Sequence, residues 1–153
     1  NMDLHTNVGM AILDQLKKGF GLDLKQESVL MDEYIKSLSI KCRDSNQKAK
    51  ALSGGNQQKV VIAKWLATKP KVLIMDEPTR GIDIGSKNQI YALINDLAKQ
   101  GIGIIMISSE LPEVLQVANN IVVFAAGKIT GRLENKDLTQ DILLDYATSQ
   151  KAV

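Results

Sequence analysis

Residues 52–59 of the chain read LSGGNQQK, and this stretch decides the fold when it is read together with VLIMDEPT at residues 72–79. Ser53 stands where a helix N-cap is expected, and two glycines follow it in the first helical turn. The N–H groups of such a turn point outward at the positive end of the helix dipole, which favours phosphate. Because glycine has no side chain, a ligand can come close to the backbone there.

The second stretch is a short apolar run, typical of a buried strand in a parallel sheet, that ends in Asp76 and Glu77. In open α/β sheets, ligands bind beyond the carboxyl ends of the strands. We therefore expect Asp76 to be a buried carboxylate that holds a Mg²⁺-bound water opposite nucleotide phosphates. Side chains alternate along a strand, so Glu77 faces another way and is expected to orient an attacking water or take its proton.

Each stretch alone also fits a simpler structure. The first could be a plain capped helix, and the second an acidic turn that Pro78 closes, since proline cannot donate to a sheet. Only one helix and one strand separate the two stretches, so both can belong to one folded unit. Their combination therefore favours a nucleotide site over two unrelated turns.

Composition excludes several classes of protein. The chain has 153 residues, 44% of them hydrophobic and 24% charged, which is enough for one ordinary domain with a core. A net charge of +2 is too small to indicate nucleic acid or an anionic membrane as a partner. Cys42 is the single cysteine, which excludes an internal disulfide and suits a reducing compartment.

No apolar stretch is long enough for a membrane span, and no signal sequence opens the chain. We therefore expect a cytoplasmic domain that serves a membrane protein without entering the bilayer. Asn1 leads directly into what resembles the middle of a domain, so we expect the chain to be part of a longer polypeptide.

The hydrophobic period changes once along the chain. Residues 1–50 are predicted to form part of a helical subdomain without strands, with helices at about 3–18 and 25–38. Residues 51–153 alternate helix and strand, which indicates βαβ units and a parallel sheet of the α/β class. The expected elements are helices at about 55–68, 85–99, 110–118 and 137–149, strands at about 72–75, 103–107 and 121–124, and a hairpin partner at 128–133.

Together, residues 52–58 and 72–78 resemble the signature motif and Walker B strand of ATP-binding cassette (ABC) ATPases. More closely, GGNQQK at 54–59, DEPTRGID at 76–83 and ISSELPE at 107–113 resemble the second cassette of the tandem ATPases that drive ribose- and galactose-type sugar importers. The resemblance extends over essentially the whole chain. It implies a three-layer, mostly parallel sheet of the P-loop NTPase type, truncated and preceded by a helical subdomain.

The resemblance also implies roles for single residues. Asp76 would be the Walker B aspartate that holds Mg²⁺ through water, and Glu77 the residue that polarises the attacking water. The signature would contact the γ-phosphate of an ATP held by an opposite cassette, and the D-loop at residues 81–83 would communicate between two sites. The residues placed around the nucleotide are Ser53, Gly54, Gly55, Gln57 and Asp83.

The implied activity is ATP hydrolysis coupled to monosaccharide import, at the cytoplasmic face of the cell membrane. The partners would be the first cassette of the same tandem ATPase or a second copy, the membrane subunits of a sugar permease and, indirectly, a periplasmic or surface sugar-binding protein. Nucleic acid is not expected.

Two departures from the family pattern matter. The phosphate-binding loop G-x-x-x-x-G-K-[ST] is absent, and its nearest look-alike, residues 127–130, lies in the predicted hairpin and receives a structural role. The chain alone is therefore expected to be inactive. Ser109 stands at the degenerate switch position, where relatives usually carry a histidine, and the loss of one preorganised donor costs roughly 2.7–4 kcal/mol of barrier. We therefore expect this half to lend its signature to another site while its own site is weak or silent.

Two other interpretations stay open. An ABC ATPase acting on nucleic acid or ribosomes would be supported by a long basic or coiled-coil insertion, and none is visible. A non-catalytic regulatory cassette would be supported by loss of the site residues, yet the two acids and the signature glycines are intact. Among the remaining side chains, Trp65 is predicted to be buried against the sheet, Lys59 to lie on a solvated face and His5 to lie on the surface.

Overall fold

The computed structural model describes residues 2–19 and 21–148. The chain divides into two units: unit one comprises Asn1–Leu73 and Thr79–Ile105, and unit two comprises Ile74–Pro78 and Met106–Val153. In chain order the elements are α1 (Leu4–Gly9), a 3₁₀ turn (Met10–Ile12), α2 (Leu13–Leu16), β1 (Lys17–Lys18), β2 (Gly21–Leu22), α3 (Leu24–Ser37), a second 3₁₀ turn (Ala49–Ala51), α4 (Gly54–Leu66), β3 (Val72–Asp76), α5 (Ile84–Lys99), β4 (Gly103–Ile107), α6 (Leu111–Val117), β5 (Asn120–Ala125), β6 (Lys128–Glu134) and α7 (Gln140–Thr148).

Aspartates cap α1 and α3 of unit one. Asp3 accepts a hydrogen bond from the Thr6 N–H at 2.8 Å, and Asp23 accepts one from the Gln26 N–H at 3.0 Å. Such caps satisfy N–H groups that have no partner inside the helix, and each is worth about 1 kcal/mol.

Apolar side chains between these helices form the core of unit one. Helix α1 packs against α3 and α4, and α4 packs against α5. Leu4, Met31 and Ile90 have no exposed surface. Full burial of a side chain of this size contributes about 1.5–3 kcal/mol, so the packing of α1, α3, α4 and α5 stabilises unit one.

Strands β3 and β4 pair with each other. The Gly103 N–H donates to the Lys71 carbonyl at 2.9 Å, and the Glu77 N–H donates to the Ile107 carbonyl at 2.8 Å. The partners at both ends advance in the same chain direction, as in a parallel pair. Along β3, buried and exposed side chains alternate, and Ile74 is 64% exposed. The prediction of a fully buried strand was therefore wrong for one of its faces.

Unit two is built on an antiparallel hairpin. Strand β5 pairs with β6 from Asn120↔Glu134 to Ala125↔Lys128. Ala126 and Gly127 connect them with φ angles of 49° and 75°, the left-handed pair that a tight two-residue hairpin turn needs. Helix α7 packs on the hairpin and against α6. The look-alike at residues 127–130 therefore lies in the turn and in β6, as the structural interpretation predicted.

The N-terminal region differs from its prediction in two respects. The first helix is interrupted by the 3₁₀ turn, and β1 pairs with β2 through Lys17↔Leu22 and Lys18↔Gly21, so the region predicted to lack strands contains two short ones. The last predicted helix extends to Ser149, which lies outside the described residues.

Trp65 was predicted to be buried but is 50% exposed, with the Lys64 ammonium 5.4 Å from the centroid of its ring.

Within residues 2–19 and 21–148, no helix combines the length and the apolar character needed to cross a bilayer.

Candidate functional site

The signature turn, residues 53–57, begins α4. Ser53 has extended backbone angles, with φ −63° and ψ 156°, and occupies the N-cap position. Its hydroxyl makes no capping bond and instead accepts a hydrogen bond from the Asn56 side-chain amide at 2.8 Å. The first intrahelical bond runs from the Gln57 N–H to the Ser53 carbonyl at 2.9 Å. The N–H groups of Gly54, Gly55 and Asn56 precede that bond, so this helix start can accept an anion.

The Gln57 side chain folds back toward the start of the turn. Its amide nitrogen donates to the Leu52 carbonyl at 2.8 Å, and the residue as a whole is exposed. The contact fixes the side chain at the edge of the turn, where the sequence placed a nucleotide-binding residue.

The two glycines of the turn have different surroundings. A Cβ added at Gly54 would lie 3.7 Å from the Gly81 carbonyl oxygen, an ordinary van der Waals distance. A Cβ added at Gly55 would lie 2.5 Å from the Ser86 Cβ, closer than atoms can approach. Gly54 thus has room for a Cβ in ordinary contact with the D-loop, whereas Gly55 lies directly under α5.

Asp83 ends the D-loop and caps α5. Its carboxylate accepts a hydrogen bond from the Ser86 N–H at 2.9 Å. Hydrogen bonds from the Ser86 backbone and then from its side chain lower the pKa of the Asp83 carboxyl. Gly81, with φ 73°, supplies the left-handed backbone that turns the loop toward this cap. Unit one therefore brings the signature turn and residues 81–83 side by side.

Asp76 and Glu77 form the acid pair in unit two. Asp76 ends β3 and is exposed, so the expectation of a buried carboxylate was wrong. The alternation of β3 explains this, because Asp76 shares a face with Ile74 and that face is uncovered within the described residues.

Glu77 owes its orientation to a turn in the backbone. Its φ angle is 45°, in the left-handed region that costs a non-glycine residue about 1–2 kcal/mol. Two hydrogen bonds hold it there: its N–H donates to the Ile107 carbonyl at 2.8 Å, and its carboxylate accepts from the Ser109 N–H at 3.0 Å. The strand ends before Glu77, and this turn separates its carboxylate from that of Asp76.

Ser109 contacts the acid pair through its backbone. The 3.0 Å bond to the Glu77 carboxylate uses the main-chain N–H, so it does not depend on the side chain at this position. Ser109, which the resemblance assigns to the switch position, thus lies beside the Glu77 carboxylate and contributes a backbone donor without an imidazole.

The acid pair offers a single exposed carboxylate to a metal. Among the described residues, no group of three His, Cys, Asp or Glu side chains could hold a metal ion alone. Mg²⁺ usually binds one or two carboxylates and completes its shell with waters and nucleotide phosphates. Asp76 fits that limited role.

The sequence-predicted residues form two clusters. Unit one holds Ser53, Gly54, Gly55, Gln57 and Asp83, and unit two holds Asp76, Glu77 and Ser109.

Sequence reasoning missed Asn56 and Ser86, although each stands three residues after the cap it contacts, which is the spacing of a capping interaction. It also placed Lys59 on a solvated face. Lys59 is 5% exposed, and its ammonium donates to the Ser39 carbonyl and to the Gln89 side-chain oxygen, both at 3.1 Å. Burial, and then the nearby Lys41, lower the pKa of Lys59.

Comparison with known proteins agrees with this geometry. The family model described as "ABC transporter" matches residues 2–80, just over half of the chain. A ribose import ATP-binding protein of Shouchella clausii is 46% identical over 148 residues, covering 97% of this chain and 30% of that protein. A xylose import ATP-binding protein of Geobacillus kaustophilus is 45% identical over 150 residues, covering 98% of this chain and 30% of that protein.

The fold has a solved counterpart as well. A dimeric ATP-binding cassette, MJ0796, bound to ADP and phosphate in a post-hydrolysis state, matches with a TM-score of 0.72 at 22% identity. The match covers 90% of this chain and 58% of that one. The chain spans about 30% of the length of the curated relatives that it matches. The signature turn, the acid pair and the family match lead to one conclusion: this chain belongs to the ABC transporter family.

Proposed function

We propose that the chain is part of the ATP-hydrolysing subunit of an importer for a monosaccharide of the ribose, galactose or xylose kind. The observation that carries this proposal is 46% identity, over 97% of the chain, to a ribose import ATP-binding protein. The open signature turn and the acid pair support it, because they are groups that phosphoryl transfer from a nucleotide needs.

The signature turn is proposed to contact the γ-phosphate of an ATP that another cassette anchors. Ser53 and Gly54 are exposed at the positive end of α4, so the Ser53 hydroxyl and the Gly54 N–H are available as donors there. Hydrogen bonds to a charged group are worth about 1.5–3 kcal/mol each, so a few of them discriminate strongly for the triphosphate. Gln57 and Asp83 would border the same phosphate. Since the chain has no phosphate-binding loop, we propose that it does not hydrolyse ATP alone.

The acid pair is proposed to serve a second site. Asp76 would hold Mg²⁺ through water, and the ion would neutralise charge on the phosphate oxygens. The Glu77 carboxylate would orient the attacking water, with the Ser109 N–H keeping that carboxylate in place. An amide N–H carries no positive charge, so this site lacks the charge stabilisation of an imidazolium and would be weak or silent.

The proposal extends to the partners. The opposite cassette would be the first cassette of the same tandem ATPase or a second copy, and the assembly would drive the membrane subunits of a sugar permease supplied by a sugar-binding protein. The assembly would act at the cytoplasmic face of the membrane.

We also propose a subdomain boundary near residue 50, which separates the helical part, residues 1–50, from the core, residues 51–153.

The test is ATP hydrolysis by the intact importer that carries this chain. Ser53→Arg should lower turnover about 100-fold or more, because the arginine side chain occupies the space of the phosphate. Glu77→Gln should lower it less than about threefold, because this half's own site contributes little. Ser37→Arg and Glu134→Gln are matched controls at exposed positions. If Glu77→Gln abolishes hydrolysis while Ser53→Arg leaves it intact, the proposed roles are wrong.

A further inference from the structure

The surface along which α4 packs on α5 has two levels, one helical turn apart. At the first level, Gly55 lies under Ser86 so closely that an added Cβ would be 2.5 Å from the Ser86 Cβ and 2.7 Å from its Oγ. At the second level, Lys59 donates to the Gln89 side-chain oxygen at 3.1 Å. We call these four residues the α4–α5 seam.

The first level leads directly to the D-loop. The Ser86 N–H donates to the Asp83 carboxylate at 2.9 Å, and the Ser86 hydroxyl also bonds that carboxylate. A displacement of Ser86 therefore displaces the cap of α5 and with it the end of the D-loop. Gly55 belongs to the signature turn, so a path of direct contacts runs from one motif through Ser86 to the other.

At the second level, α4 contacts its neighbours through hydrogen bonds from Lys59. Lys59 is 5% exposed and its ammonium contacts two neutral oxygens, those of Gln89 on α5 and of the Ser39 backbone just after α3. Burial of a charge without a carboxylate partner costs stability. We take this cost as a sign that Lys59 serves to position the elements that it contacts. Those contacts join α4, α5 and the C-terminal end of α3 at one atom.

We propose that Gly55, Lys59 and Ser86 are positioning residues that hold the D-loop and the signature turn as one rigid piece. Resting on the proposed function, the inference assigns a second reason for the glycine at 55: α5 requires it, whether or not a phosphate approaches. A Cβ at Gly54 would make only ordinary van der Waals contacts, so packing does not require the glycine at 54. The seam keeps Asp83 and Ser53 in register when the cassettes close on ATP.

The experiment is a rescue series in the intact importer ATPase. Gly55→Ala should lower kcat about tenfold or more, because overpacking displaces Ser86. Adding Ser86→Gly removes the clashing Cβ and should restore kcat to within about threefold of Ser86→Gly alone. Adding Ser86→Ala is the matched control, because it removes the hydroxyl but keeps the Cβ, and it should restore nothing. If the Gly55→Ala, Ser86→Gly double variant stays as slow as Gly55→Ala, the proposal is overturned.

A second readout separates packing from catalysis. Without nucleotide, Gly55→Ala should lower the melting temperature of the protein by about 3 °C or more, and Ser86→Gly should recover most of that loss. Recovery of the melting temperature without recovery of kcat would show that the seam only packs, and would also overturn the proposal. Ser53→Arg reports on the proposed function independently: if it leaves hydrolysis unchanged while the seam variants still rescue one another, the proposed function fails and the seam stands.

The last part of the experiment tests Lys59. Lys59→Met keeps the length of the side chain and removes both hydrogen bonds, and it should lower kcat about three- to tenfold with the KM for ATP within about twofold of the parent, since another cassette anchors the nucleotide. Lys59→Arg, which keeps donors and charge, should lose less. Equal losses in both variants, or a rise in KM alone, would remove Lys59 from the proposal.

Discussion

The signature turn and the acid pair, which we propose as parts of phosphate sites, are built in two different ways. The signature turn works through missing side chains and backbone donors: the Ser53 hydroxyl makes no capping bond to the first N–H groups, and Gly54 adds no side chain beside them. The acid pair works through side chains that the backbone must aim, and Glu77 accepts a left-handed φ of 45° to do so. Substitutions that add a side chain should therefore impair the function of the signature turn. The acid pair should respond instead to changes in the groups that donate hydrogen bonds to it.

The largest expected effect comes from adding charge to the signature turn. Gly54→Asp places a carboxylate where a phosphate is proposed to bind, and hydrolysis by the intact importer should fall about 100-fold or more. The melting temperature should hardly change, because a Cβ at Gly54 meets nothing closer than 3.7 Å. Gly54→Ala is the control and should lose less than about tenfold. A Gly54→Asp variant with normal hydrolysis would mean that the signature turn is not part of a phosphate site.

A smaller effect, in the opposite direction, is expected at Ser109. Ser109→His keeps the backbone N–H that bonds the Glu77 carboxylate at 3.0 Å and adds an imidazole beside it. With the other site of the importer silenced, hydrolysis at this half's own site should rise about tenfold, a fraction of what one preorganised donor can supply. Ser108→His is the neighbouring control. No gain in Ser109→His would show that the acid pair is limited by something other than its missing imidazole.

Much of this site follows from local sequence. The N-cap position of Ser53, the start of α4, the end of β3 at Asp76 and the hairpin turn at Ala126 depend on neighbouring residues, so their residue types predict them.

The sequence could not predict contacts between residues that are far apart in the chain. The burial of Lys59 depends on Ser39 and Gln89, and the closeness of Gly55 to α5 depends on Ser86. The exposure of Asp76 depends on which face of β3 is covered. Each of these depends on how elements pack, and a pattern of hydrophobicity along one element does not contain that information.

Asp83 gives a moderate effect that concerns stability. Hydrogen bonds from Ser86 lower the pKa of the Asp83 carboxyl in the folded protein. The contribution of this carboxylate to folding stability is therefore fully present above the unfolded pKa, near 3.8, and is lost as the pH falls through the lower folded pKa. Asp83→Ala should therefore lower the melting temperature at pH 7 and have less effect at pH 3. Asp83→Asn, which still accepts the bond, is the control. An equal effect of Asp83→Ala at both pH values would contradict a charged cap.

The smallest effect is expected for the protonation of Lys59. Its pKa is lowered in the folded state by burial and by Lys41, so the unfolded chain binds the proton more tightly. The free energy of unfolding should therefore rise, relative to Lys59→Met, as the pH increases through the folded pKa toward 10.5. Chemical unfolding of both proteins at pH 7 and pH 10 measures this difference. A constant difference would show that the ammonium is not desolvated in the α4–α5 seam.

The central claim is that the signature turn of this chain lies against the γ-phosphate of an ATP held by another cassette. The most direct measurement is photocleavage of the intact importer after it is trapped with vanadate and ADP, since vanadate takes the place of the γ-phosphate and cuts the backbone beside it. The account predicts a cut in this chain next to Ser53, mapped by mass spectrometry and lost in Ser53→Arg. Full trapping with cuts elsewhere and none within the signature turn would contradict it.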